Sequence, residues 1–419
     1  MSGTVLAQII SFALSPIISR LYSPADFGVF GSFSAILSVI AAGLTLDYSQ
    51  AIMIPKQDNE AINLFMLSFL STISISACCL VACLLAPALI RSLMKTSGFW
   101  ILALLVIGIL VNGLNQTFQA WCVRVKSFKH TSASQVIRSV SSNGTQIGLG
   151  YLGGGPLALI FSTNLGEALA SLNLGRVVLR DLRNLRPVIK WKGLWRLAIS
   201  YHDFPLYSAS INVINTLSMS LPVLLLTQYY GIAVAGSYAF GMRMLSTPLG
   251  FIMRSLRQVL YQKACETHSH GGRLVPLYVK FTVGLFALAL VPSVIFMIWA
   301  PRLFTWVFGT QWLTAGQFAQ SLVIWTLFMF SNLPADLFVR IIRMQRKMFI
   351  FDVTLLAART AVLVAGGLYW PASKTILLFS VVGAIMNIIF IAIVGYAVMR
   401  KEGDITLKGI LNGLKEGSP

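Results

Sequence analysis

Three charged side chains stand inside apolar runs that offer them no water. Arg243 lies in the run 234–256, Arg359 in 349–370 and Glu167 in 157–179. Each sits about nine or ten residues in, roughly 13–15 Å deep at the 1.5 Å rise of an α-helix. A charge at the centre of a bilayer costs about 2.5–3.5 kcal/mol on insertion scales, so such a side chain faces protein or water, not lipid. Arg243 opens a line with Thr247, Gly250, Arg254 and Arg257, at steps of four, three, four and three. Those steps keep all five on one helical face. The line reads as an electrostatic track for an anion. Guanidinium suits phosphate, because its planar fork donates two parallel hydrogen bonds. The competing reading is an internal pair, Arg243 or Arg359 with Glu167, that fixes helix packing. Arg138, Arg254 and Asp352 lie nearer the edges of their runs and can snorkel to the surface.

Polar residues recur at helical spacing around these charges. Examples are Ser11, Ser15 and Ser19; Asn112, Asn115, Gln116 and Gln119; Arg138, Ser142 and Thr145; Asn164, Glu167 and Ser171; and Ser208, Asn212, Asn215 and Ser218. One such stripe is ordinary glue between packed helices. On five helices together the stripes are expected to line a hydrated cavity. Cations in the spans outnumber acids, so that cavity is expected to be net positive and to favour an anion.

The elements that must position these groups are membrane helices. Hydrophobic residues make up 56% of the 419 and charged residues only 11%, against about 25% charged in soluble domains. A single globular core is excluded. Run lengths predict about twelve spans, at 3–21, 28–46, 62–89, 99–123, 134–152, 157–179, 204–228, 234–256, 274–299, 315–338, 349–370 and 375–399. The fold class is therefore all-α integral membrane. The first run lacks a basic lead-in, so it reads as a span, not a cleavable signal, and an upstream segment is expected.

Net charge is +19, but the Lys and Arg sit in short loops between spans, which excludes nucleic-acid binding. Basic clusters follow every second helix, and positive charge stays cytoplasmic. Both termini are expected in the cytoplasm. The most basic loop divides the chain into bundles at 1–179 and 201–399, joined by a linker at 180–200 and followed by a tail at 400–419. Six helices on each side give the halves the same orientation, a parallel repeat around a central cavity. Ser15-Pro16 followed by Gly31-Ser32-Phe33-Ser34-Ala35 echoes Leu221-Pro222 followed by Gly236-Ser237-Tyr238-Ala239-Phe240. Of five cysteines, four lie in or beside spans and none forms a metal-spaced pair. His268 and His270 lack further ligands at metal spacing. No metal, cofactor or catalytic group is expected, and the chain is not read as an enzyme.

The segment from Gly3-Thr4-Val5-Leu6-Ala7-Gln8 through Ser15-Pro16-Ile17-Ile18-Ser19-Arg20-Leu21-Tyr22-Ser23-Pro24-Ala25-Asp26-Phe27-Gly28 resembles the first hairpin of the Wzx-type polysaccharide and O-antigen repeat-unit flippases. Leu46-Asp47-Tyr48 to Glu60-Ala61, Asp203-Phe204-Pro205-Leu206-Tyr207 and Tyr238 to Gly250 are similar to later stretches of the same family. The resemblance implies the polysaccharide transporter branch of the multidrug/oligosaccharidyl-lipid/polysaccharide superfamily. It implies two six-helix bundles working by alternating access, and an undecaprenyl-diphosphate-linked oligosaccharide as substrate. Arg20 and Asp26-Phe27 match a pattern of the related lipid II flippases, and Arg243 matches their cavity arginine. On that reading Arg20, Arg138, Arg243, Arg254 and Arg359 hold the diphosphate. Asn112, Gln116, Asn212 and Asn215 meet sugar hydroxyls, and Glu167 and Asp26 are coupling or structural acids. The setting implied is the bacterial inner membrane, with membrane lipids, a polymerase and a chain-length regulator as companions and a monomer as the working form. The alternatives are a multidrug or cation exporter of the same superfamily, a polytopic polymerase or ligase, and a passive scramblase.

Overall fold

The computed structural model describes residues 2–95, 98–185, 191–269, 272–342 and 344–416. All regular structure in them is helical: α1 Ser2–Leu21, α2 Pro24–Gly43, α3 Tyr48–Ala51, α4 Asp58–Leu85, α5 Pro87–Met94, α6 Phe99–Arg124, α7 Phe128–Tyr151, α8 Gly155–Leu185, α9 Trp191–Ser200, α10 Ala209–Tyr230, α11 Ile232–Ser269, α12 Leu274–Phe308, α13 Leu313–Ser331, α14 Leu333–Ile341, α15 Gln345–Tyr369 and α16 Ala372–Glu416. A π-helical turn, Phe204–Ser208, leads into α10. Arg186 and Lys190 of the basic linker, His270 and Arg343 lie outside the described residues.

Ten of these helices are long and apolar enough to cross a membrane by length and composition. The expected spans at 134–152 and 234–256 are not among the ten. They are nonetheless helices of spanning length, α7 with 24 residues and α11 with 38. Their hydropathy is lowered by the same polar and basic stripes that marked them as functional. Other boundaries move for local reasons. The predicted span 62–89 breaks at Ala86 before Pro87, since proline cannot continue the preceding ladder. The predicted 315–338 divides at Asn332, ahead of Pro334. The second span begins at Pro24, not Gly28, because Ser23 caps it: the Ser23 hydroxyl accepts from the Asp26 amide while Asp26 accepts from the Ser23 amide.

The chain forms two compact units, Met1–Ala239 with Val307–Gln311, and Phe240–Trp306 with Trp312–Pro419. In the first, α7 lies along α8 and α1, α6 along α8, and α2 along α10. Its core includes Phe65 and Trp121, whose rings meet edge to face at 5.5 Å between centroids. In the second, α16 packs on α13 and α15, and Phe240 lies on Trp312 at 4.0 Å.

The echoing hairpins of the sequence meet each other inside the first unit. The Ser32 and Thr227 hydroxyls are hydrogen-bonded at 2.8 Å. A Cβ on Gly28 would overlap the Ile232 carbonyl, and one on Gly236 would overlap the Pro24 carbonyl. Backbones this close admit only glycine. The segment 307–311 closes the end of α1. Ser19 donates to the Phe308 carbonyl at 3.1 Å, and Gln311 donates to the carbonyls of Ser19 and Tyr22 at 2.6 and 3.2 Å. These are helix-end carbonyls that would otherwise lack partners. Tyr22 donates to the Gln146 carbonyl at 2.6 Å. Burial, and then the Asp26 carboxylate, push its hydroxyl up to about 12, so it remains a donor at any ordinary pH.

Candidate functional site

The anion track survives folding as one face of α11. At 100° per residue, Arg243, Thr247, Gly250, Arg254 and Arg257 fall within an arc of about 80°, and Arg243 and Arg254 are about 16 Å apart along the axis. Arg243 and Arg254 are exposed. A Cβ added at Gly250 between them would meet nothing within 4 Å, so no side chain covers the strip at that point. Thr247 returns its hydroxyl to the Arg243 carbonyl at 2.7 Å, which leaves the guanidinium to project unhindered by it. Among the described residues no carboxylate pairs with Arg243 or Arg254. Arg257 is different: it pairs with Asp336 at 2.6 Å, and Asp336 also faces Arg340 at 3.6 Å. The far end of the track is therefore neutralised while its first two cations are not.

The remaining sequence candidates scatter. Arg359 is buried, 3% exposed, with its guanidinium carbon 4.0 Å above the Trp325 ring and 5.0 Å from Phe379. Such stacking is the usual accommodation of a desolvated guanidinium. It places Arg359 inside the second unit, not on an open surface. Arg20 is exposed and donates to the Val307 carbonyl at 3.4 Å. Asp26 is spent on its capping box. Arg138 and Glu167 form the internal ion pair that the sequence left open, at 2.8 Å, although with Arg138 and not with Arg243 or Arg359. The second Glu167 oxygen is buried without a hydrogen-bond partner.

The polar stripes of the first unit are mostly glue. Ser139 donates to the Ala7 carbonyl at 2.7 Å, Asn143 to Ser11 at 2.9 Å and Asn115 to Ser171 at 3.1 Å. Gln116 donates to the Asn112 side-chain oxygen at 2.8 Å and to the Ala41 carbonyl at 3.1 Å. Asn212 is held by Asp47 at 2.8 Å. Asn215 is exposed on the same helix. Sequence reasoning passed over Asp47, which is buried and shared between Asn212 and Ser208. No periodicity marks it, because it lies in the turn between α2 and α3.

Solved structures resemble the chain over nearly its whole length. An inward-facing multidrug resistance MATE family transporter of the MOP superfamily is 16% identical with a TM-score of 0.72, covering 98% of this chain and 96% of that one. The lipid II flippase MurJ, in an inward closed conformation, is 13% identical with a TM-score of 0.71, covering 97% and 92%. A MOP superfamily transporter from Pyrococcus furiosus, described as having a binding pocket of reversed polarity, is 16% identical with a TM-score of 0.60, covering 95% and 93%. At these identities the likeness establishes the fold: an all-α architecture of long helices shared with these proteins. No curated protein matches the chain by sequence. The family is nevertheless defined. Residues 17–317 match the polysaccharide biosynthesis protein family, and the chain belongs to it.

Proposed function

We propose that the chain is a flippase for an undecaprenyl-diphosphate-linked oligosaccharide repeat unit of the Wzx type, working by alternating access in the bacterial inner membrane. The observation that carries this reading is the pair of exposed, unneutralised arginines, Arg243 and Arg254, on an open helix face within a polysaccharide-biosynthesis family. Arg243 takes the diphosphate, and Arg254 draws it in along the strip. Arg20 is a further phosphate contact. Arg138 contributes less, because Glu167 already holds it, and Arg359 serves packing. Asn215 meets sugar hydroxyls, while Asn112, Gln116 and Asn212 are occupied within the protein. The lipid tail stays in the bilayer.

In this reading both termini are cytoplasmic and the working halves are 1–179 and 201–399, joined by 180–200 and trailed by 400–419. They act as a monomer that hands its product to a polymerase and chain-length regulator. A MATE-like exporter of cationic drugs is the rival that the fold allows. It needs acids on the exposed face, where this chain carries arginines.

The test is Arg243→Ala in cells that depend on this chain for surface polysaccharide. Polysaccharide is expected to fall at least about tenfold, the scale of losing one charge-assisted phosphate contact, with protein abundance unchanged. Unaltered polysaccharide removes Arg243 from the site. Altered drug resistance with normal polysaccharide supports the exporter.

A further inference from the structure

At one end of the first unit, exposed apolar and basic side chains alternate: Met53, Ile54 and Lys56 on the turn after α3, and Trp195, Arg196 and Ile199 on α9. The two pieces share a foundation. Leu197 of α9 and Ile52 of the turn belong to one core cluster with Trp121 of α6 and Val178 of α8. Leu194 is buried as well, and α9 lies on α4. At 100° per residue Leu194 and Leu197 are about 60° apart on the inner side of α9. Trp195 and Ile199 are about 40° apart on the outer side, with Arg196 about 60° beyond Ile199. Trp195 is 68% exposed and Ile199 58%, so neither belongs to the flank of the core. The turn is held from below. Arg124 donates to the carbonyls of Ile52 at 2.7 Å and Pro55 at 2.9 Å, and it pairs with Asp58 at 2.9 Å. The tip of the clamped turn presents Met53 and Ile54 outward. Among the described residues no carboxylate pairs with Lys56 or Arg196.

The level of this face points to what covers it. Trp121 and Val178 stand three residues before the ends of the apolar helices Trp100–Arg124 and Gly155–Asp181, about 4.5 Å in along the axis. A helix seated on the last turns of two spans lies at the depth of lipid headgroups, not out in water. Tryptophan is enriched at that depth, and short helices of mixed basic and apolar composition lie in its plane. We propose that α9 and the Met53–Lys56 turn form a binding site for anionic phospholipid. Trp195, Ile199, Met53 and Ile54 enter the acyl boundary. Lys56 and Arg196, free of internal carboxylates, take the phosphate-bearing headgroups. A protein partner fits less well, because it would have to reach a face set at headgroup depth. The site is separate from the Arg243 strip and does not depend on what the protein carries.

The test is lipid-selective quenching on the full chain. With the native cysteines replaced, Ser200→Cys at the exposed end of α9 carries a fluorophore. The protein is placed in vesicles of phosphatidylcholine and phosphatidylglycerol, with one lipid or the other brominated in its acyl chains at equal bromine content. Both brominated lipids are expected to quench the probe. Phosphatidylglycerol is expected to associate roughly 25-fold more strongly, from about fivefold for each of two cations. Lys56→Gln or Arg196→Gln alone is expected to lower that ratio to about five, and the two together to about one. Both positions are exposed, so folding is not at stake. Equal quenching by the two lipids before these substitutions, or a ratio that the double substitution leaves unchanged, overturns the proposal. Quenching by neither lipid overturns it too, since a protein and not the bilayer would then cover the face. Arg243→Ala is expected to leave the ratio intact, so failure of the substrate reading and failure of the lipid site are told apart.

Discussion

The Arg138–Glu167 pair is lopsided, and its two ends should not respond alike to mutation. The Glu167 side chain is 12% exposed and the Arg138 side chain 48%. Removing the arginine strands a carboxylate that already has one oxygen without a partner. Removing the carboxylate frees an arginine that can reach water. Arg138→Ala is therefore expected to cost about 2–3 kcal/mol, somewhat under the about 3–5 of a fully buried pair, and Glu167→Gln much less. Unfolding temperatures in detergent measure the difference, and equal losses would mean that the pair is solvated from both sides. Arg359 gives a second expectation at this scale. A Cβ on Gly383 would lie 2.5 Å from its guanidinium nitrogen and 2.9 Å from Trp325. Gly383→Ala should cost about 1–3 kcal/mol by overpacking, again read as a lowered unfolding temperature.

At the scale of the element, the contact between the echoing hairpins depends on having no side chain at Gly28 and Gly236. An added methyl at either would meet backbone, which cannot rotate away as a flexible side chain can. Gly236→Ala is expected to part the two hairpins there and to expose Ser32 and Thr227. The check is alkylation of a Ser32→Cys probe, slow with Gly236 present and fast in the Gly236→Ala background.

Much of this layer could be read in the sequence. The two hairpins were visible as Ser-Pro and Leu-Pro runs leading to Gly-Ser-aromatic, and the arginine strip on α11 as steps of three and four. The mutual contact of these hairpins was not visible, since pattern alone does not say what a glycine approaches. The stripes on α1, α6, α7 and α8 looked the same whether water or another helix faced them, and here most face another helix. Asp26 sits three residues after Ser23, a capping spacing. It is a local structural acid, although the family resemblance suggested a coupling role as well. Asp47 and the π-turn have no period to betray them.

For the whole molecule, the flippase function proposed above, with alternating access, requires some contact that holds one access state to break in the other. The hairpin contact is a candidate for that requirement, because it joins the N-terminal hairpin to its sequence echo two hundred residues on through backbone approach and one hydroxyl pair, with no ion pair between them among the described residues. A Cβ built on Gly31 lies 3.1 Å from the Ala239 Cβ, slightly inside the about 3.5–4.5 Å that a disulfide spans. A small relaxation would therefore accommodate a bridge. In a chain freed of Cys78, Cys79, Cys83, Cys122 and Cys265, the double substitution Gly31→Cys with Ala239→Cys is expected to cross-link on oxidation. Surface polysaccharide should then stop, and reduction should restore it. Each single cysteine should leave export near normal under oxidation. Continued export by the fully cross-linked protein would show that the hairpins stay together throughout the cycle, and the moving contact would then have to lie elsewhere.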